Sequence, residues 1–170
     1  MTPDINIRAE SPHDIAAISS VIAAAFLTAR YTSYTEEFIV GALRRAGKLA
    51  VSRVATHLDA IVGHVAISPI AISDHEVGWY GLGPVAVLPS YQRRGIGTAL
   101  VMDALLVLSS SGAGGCVVLG DPAFYERFGF CANGALTLPG VAPDHFLAVA
   151  FGDSIPSGIV SYHDAFQVQS

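Results

Sequence analysis

Residues 85–101 read VAVLPSYQRRGIGTALV. An apolar run ends at Pro89. Gln92, Arg93 and Arg94 follow, and Gly95, Ile96 and Gly97 open a second apolar run. That order is a strand feeding a helix through a turn. The first N–H groups of a helix have no partner inside it, and the helix dipole gathers partial positive charge there. Glycine lets the backbone approach a ligand closely, because no Cβ stands in the way. The turn from Gln92 to Thr98 is therefore suited to phosphate. A Walker loop would need Gly-Lys-Ser/Thr, and the only lysine is Lys48. A dinucleotide fingerprint would need a third glycine where Leu100 stands. The local pattern leaves one alternative open, a solvent-facing arginine pair on an ordinary strand-to-helix turn.

Other residue types with chemical potential are sparse. The six histidines are dispersed, and no pair has zinc-ligand spacing, so no metal is expected. Cys116 begins a wholly apolar run, where burial would blunt a thiol, so it is assigned to the core. Two cysteines do not make a disulfide framework and suit free thiols in a reducing cytoplasm.

Composition narrows the class of protein further. The chain has 170 residues, 52% hydrophobic and 14% charged, which describes a single compact domain and excludes a disordered one. Its net charge of -5 and the lack of a basic stripe argue against nucleic acid as a partner. Mild acidity would suit a cationic substrate. MTPDINIRAE has no apolar core behind a basic start, and no membrane span is visible. The expectation is a cytoplasmic protein, monomeric or homodimeric.

The surrounding elements must position the turn. INIR is a first strand. Ser11-Pro12-His13-Asp14 is a helix start, followed by Ile15, Ile18, Ile22 and Phe26 at helical spacing. A second helix is expected over 35–46, ending at Gly47. KLAVSRVA and DAIVGHVAISPIAI read as a hairpin joined by THLD, and a fourth strand spans 78–88. The Gly95–Ser110 helix is broken by SSSGAGG, after which CVVLG is a strand buried on both faces. DPAFYERF is a short helix. FGFCANGALTL carries an Asn-Gly turn between two strand-like runs, FLAVAF is a last strand, and the tail reads as irregular and packed outside. Residues 1–152 form the domain and 153–170 a tail packed on it. The mixture of strands and helices is α/β or α+β, one layer of sheet covered by helices.

With these elements in place, two stretches show a resemblance. Gln92-Arg93-Arg94-Gly95-Ile96-Gly97 matches the Q/R-x-x-G-x-G/A signature of the GCN5-related N-acetyltransferase (GNAT) family, and VAVLPSY matches the strand before it. Tyr125-Glu126-Arg127-Phe128-Gly129-Phe130 matches that family's Y-E-x-x-G-F segment. WYGLGPVAVLP, GDPAFYERFGF and SYHDAF look most like its uncharacterised bacterial YhbS-like branch. The resemblance implies the acyl-CoA N-acyltransferase fold. This is a single mixed, mainly antiparallel sheet of six to seven strands flanked by helices, with a splayed central strand pair.

It also implies transfer of an acetyl group from acetyl-CoA, without a metal, to a primary amine of a small molecule or protein, by direct attack in a ternary complex. The N–H groups of Arg93 through Thr98 would hold the coenzyme pyrophosphate beside Gln92. Val85, Ala86 and Val87 would bind the pantetheine and thioester. Tyr125 takes the family's general-acid position and touches the coenzyme. Asp121, where many members carry Asn, is counted among the coenzyme contacts, although its type equally suits a helix cap. Glu76 is the candidate base, with His75 and His64 nearby. Tyr31, Tyr34, Trp79 and Tyr80 either line an acceptor pocket or pack. A non-catalytic acyl-CoA sensor is the rival reading.

Overall fold

A computed structural model describes residues 4–27, 36–73 and 78–167. The elements run β1 (Asn6–Ala9), α1 (Ile15–Leu27), α2 (Glu36–Arg45), β2 (Val51–His57), β3 (Ala60–Ile72), β4 (Trp79–Val87) and α3 (Ile96–Ser110). They continue with β5 (Gly115–Leu119), α4 (Pro122–Tyr125), β6 (Cys131–Ala132), β7 (Leu136–Thr137), β8 (Phe146–Ala150) and β9 (Gly158–Tyr162). Among the described residues the sheet has nine strands in the order β1-β2-β3-β4-β5-β8-β6, with β9 pairing β3 and β7. Pairing is antiparallel except for β4–β5 and β7–β9.

Local chemistry explains these boundaries. A short 3-10 turn over Pro12–Asp14 precedes α1, and the Asp14 carboxylate accepts from the Ser11 N–H at 2.7 Å. The Arg8 guanidinium grips the same carboxylate at 2.7 and 3.0 Å and holds it well below the usual carboxylate range. Helix α2 stops at Gly47, whose φ of 69° is the left-handed cap that glycine accepts without penalty. The β2–β3 hairpin turns on Leu58 and Asp59, both at positive φ.

Helices cover both faces of the sheet. Leu100, Val101, Ala104 and Leu108 of α3 pack with Val65, Ile67 and Val118 on one face. Ile18, Val21 and Ile22 of α1 pack with Val54, Ala66 and Ala86 on the other.

Two expectations are corrected. The Asn-Gly turn is present, with the Ala135 N–H bonded to Asn133 Oδ1 at 2.8 Å, but its flanking strands do not form a hairpin. Instead β6 pairs β8 and β7 pairs β9. The tail is not irregular throughout. Residues 158–162 form β9, which runs antiparallel to Ile70–Ile72, and Val160 is buried there at 1% exposure.

Candidate active site

The middle of β4 carries a bulge. Val65 faces Val85 and Ile67 faces Leu82, so Ala66 alone opposes both Gly83 and Pro84. Bulges bend a strand and end pairing. Here the pairing of β4 with β5 stops at Leu82–Val118, just before Pro84, which has no N–H to offer. The two strands part beyond that point, and β4 continues on β3 alone.

The phase of the remaining ladder decides which backbone groups are exposed. The Leu88 N–H donates to the Val62 carbonyl at 2.8 Å. Hydrogen-bonded and non-bonded pairs alternate along an antiparallel ladder, so Ala86 and His64 bond each other. Val85 and Val87 then turn their N–H and C=O groups to the edge that β5 has left. On that edge Gln92 Nε2 donates to the Val87 carbonyl at 3.0 Å. Ala86 therefore does not join its neighbours at the site. Its backbone faces β3, and its side chain is 2% exposed under α1.

The turn after β4 ends where α3 begins. Arg93 and Gly95 are left-handed at φ 63° and 81°. Such turns gather successive N–H groups into an anion-binding concavity. The first rung of the α3 ladder is the Ala99 N–H to the Gly95 carbonyl at 3.0 Å, which leaves the amides of Ile96, Gly97 and Thr98 ahead of it. A groove of about 460 Å³ runs along these amides, Arg93, Val85 and Val87. A Cβ on Gly97 would stand 3.9 Å from Val87 Cγ2, toward the groove.

Arg127 also lines this groove, although the sequence signals named Asp121 and Tyr125 of its segment for coenzyme contact and not Arg127 itself. Its Nε donates to the Phe124 carbonyl at 2.8 Å, its guanidinium lies 4.7 Å above the Phe124 ring, and it reaches Thr98 Oγ1 at 3.4 Å. Arg94 instead lies 5.6 Å from the Tyr91 ring centroid and is absent from the groove lining. Asp121 caps α4, accepting from the Ala123 N–H at 2.9 Å, and lines neither the groove nor the cavity described next.

Tyr125 stands at the far end of the opened edge. Its ring packs edge-on against Phe124 at 4.8 Å and Phe130 at 5.8 Å. Gly120 makes room for it, since a Cβ there would collide with the ring. Burial pushes the phenol up to about 12, so it holds its proton at neutral pH. The hydroxyl has no hydrogen-bond partner among the described residues. Tyr125 lines a second cavity of about 410 Å³ together with Gly83, Pro84, Val85 and Tyr162. Val85 borders both the groove and the cavity.

Glu76, His75, Tyr31 and Tyr34 lie outside the described residues. His64 is fully buried, its Nε2 2.7 Å from Ser52 Oγ, and lines neither the groove nor the cavity. Trp79 packs in the core at 4% exposure. Burial raises the Cys116 thiol well above its ordinary value, in keeping with a core residue. Among the described residues no group of three or more His, Cys, Asp or Glu could hold a metal ion, and no helix is long and apolar enough to cross a membrane.

A parted parallel strand pair beside an amide-lined helix start is the arrangement that the GNAT resemblance implied, and comparison with known proteins agrees on the fold. Residues 47–132 match the acetyltransferase (GNAT) domain. The chain is 33% identical over 167 residues to the uncharacterized N-acetyltransferase YhbS of Escherichia coli K12, covering 94% of this chain and 97% of that one. A GNAT family acetyltransferase from Brucella melitensis, solved in complex with acetyl-CoA, superposes with a TM-score of 0.86 at 45% identity, over 95% and 97% of the two chains. Escherichia coli YhbS, solved in complex with CoA, superposes at 0.87 and 31% identity, over 98% and 93%. The chain belongs to the GNAT family of N-acetyltransferases.

Proposed function

We propose that this protein transfers an acetyl group from acetyl-CoA to a primary amine by direct attack, with both substrates bound together. The carrying observation is that Val85 borders both the amide-lined groove and the cavity that Tyr125 lines. The groove fits the coenzyme. Unladdered amides and the Arg93 and Arg127 cations suit a pyrophosphate, and the outward backbone groups of Val85 and Val87 suit an extended chain of amides.

Bound there, the thioester supplies an electrophilic carbonyl and a thiolate leaving group. Residues of this chain then have distinct tasks. Val85 and Val87 hold the pantetheine in the manner of an added strand. Tyr125 keeps its proton at neutral pH and donates it to the departing sulfur. Glu76 is the proposed acceptor, through water, of the proton lost by the attacking amine.

Turnover of wild type, Tyr125→Phe and Glu76→Gln, measured against pH, tests these roles. Tyr125→Phe should lower kcat about tenfold or more, the usual range for a lost general acid, with acetyl-CoA affinity little changed. Glu76→Gln should remove the acidic limb of the profile. Unchanged turnover in a folded Tyr125→Phe, or identical acidic limbs, would remove the respective residue from the mechanism. Binding of acetyl-CoA without thiol release across a broad amine panel would favour the sensor reading instead.

A further inference from the structure

We propose that the acceptor is a primary amine on a compact aromatic or hydrophobic body with no neighbouring carboxylate, seated in the cavity that the C-terminal segment closes beside Tyr125. This inference rests on the acetyl-transfer assignment above and adds the chemical class of the acceptor.

The walls carry the argument. Ile39, Pro84, Leu138 and Phe166 give the cavity an apolar surface on several sides. Tyr162 and Phe166 form its aromatic end, their rings 4.9 Å apart and tilted by 47°. Strand β9 holds Tyr162 there, opposite Ile70. Its ring fills the space left by Gly81, where a Cβ would lie 2.5 Å from Tyr162 Cε1. The wall is thus part of the sheet. A volume of about 410 Å³ lies in the lower part of the range for small-molecule sites, which suits one ring on a short chain.

Charge decides what the body may carry. Glu36 is the one carboxylate among the described lining residues, and Arg, Lys and His are absent from them. It sits at the first position of α2, where the helix dipole favours an anion. The phenol oxygens of Tyr125 and Tyr162 can accept from an ammonium before it loses its proton, and aromatic faces attract cations. Among the described lining residues an α-carboxylate would lose its water and meet no cation, which is strongly unfavourable. The cavity thereby discriminates an aromatic amine from the amino acid of the same shape.

The test uses the full chain and four probes: 2-phenylethylamine, phenylalanine, spermidine and a short unblocked peptide. Acetyl-CoA binding is measured first by calorimetry, and thiol release is then followed with each amine. Phenylethylamine should exceed phenylalanine in kcat/KM by at least about tenfold, a lower bound for the penalty on one unpaired buried charge. Phe166→Ala and Leu138→Ala, made separately, should each raise the KM for phenylethylamine severalfold and leave the acetyl-CoA Kd unchanged. The proposal is overturned if phenylalanine, spermidine or the peptide is used as well or better. It is equally overturned if a chain that binds acetyl-CoA neither binds nor acetylates phenylethylamine, or if both variants keep the wild-type KM. Those results leave acetyl transfer standing, whereas failure to bind acetyl-CoA removes both conclusions.

Discussion

The turn after β4 works through backbone groups, and its two arginines diverge. Arg93 borders the groove while Arg94 lies against Tyr91. The decisive residue is Gly95, whose φ of 81° is the left-handed region that a β-branched side chain resists. Gly95→Val should abolish measurable coenzyme binding by calorimetry, because the amides of the helix start would lose their alignment. Arg93→Ala should only weaken it, by a surface-exposed charge contribution of about 1 kcal/mol. The reverse ranking would show that the site binds through side-chain charge. Much of this was legible in the sequence, since glycines, a preceding strand and a following helix are local signals. Arg127 was not, because its reach to Thr98 depends on how distant parts of the chain pack. Asp121 shows the opposite limit. Its residue type allowed a cap or a ligand contact, and the structure shows the cap, in its bond to the Ala123 N–H.

Among the elements, β9 changes the picture of the C-terminal segment most. GIVSY lies between glycine- and proline-containing stretches and pairs only with distant β3 and β7, so nothing local marks it as a strand. The Asn-Gly turn misled for a related reason. A hairpin signal specifies the turn, whereas the partners of β6 and β7 are set by tertiary packing. Val160 measures what β9 contributes, since it is 1% exposed among Ile70, Ile72 and Trp79. Val160→Ala removes two buried methyl groups and should cost about 2 kcal/mol. Thermal unfolding should fall by about 4–8 °C for a chain of this size. A shift within error would mean that β9 is docked without supporting the sheet.

Across the whole molecule, one polar chain ties the sheet to α2. Arg44 of α2 pairs with Glu10 at 3.0 Å, Glu10 accepts from Ser52 of β2, and Ser52 Oγ lies 2.7 Å from His64 of β3. Burial lowers the His64 pKa from 6.5 to about 4, against the opposing pull of Glu10. The folded protein therefore holds His64 neutral, while the unfolded chain takes up a proton below about 6.5. Stability from this group is complete above pH 6.5 and declines as the pH falls toward 4. The gap between the two values is worth on the order of 3 kcal/mol. Urea unfolding at pH 7.5 and 5.0 should show the loss, and His64→Gln should flatten it. A wild-type profile without a decline in this window would contradict a neutral buried His64. The sequence placed His64 near the central strands. Its removal from both the groove and the cavity depends on which face of β3 each residue takes.

The bulge at Gly83 and Pro84 gives β4 two unlike edges, and amide hydrogen exchange can tell them apart residue by residue. The Ala86 N–H, bonded to His64, should exchange slowly, as a central strand would. The N–H groups of Val85 and Val87, one residue away on either side, should exchange faster by orders of magnitude in the free protein. Addition of CoA should slow both and leave Ala86 as it was. Strand β4 thus carries its own occupancy signal. Equal protection at all three positions would mean that the edge facing β5 is already filled.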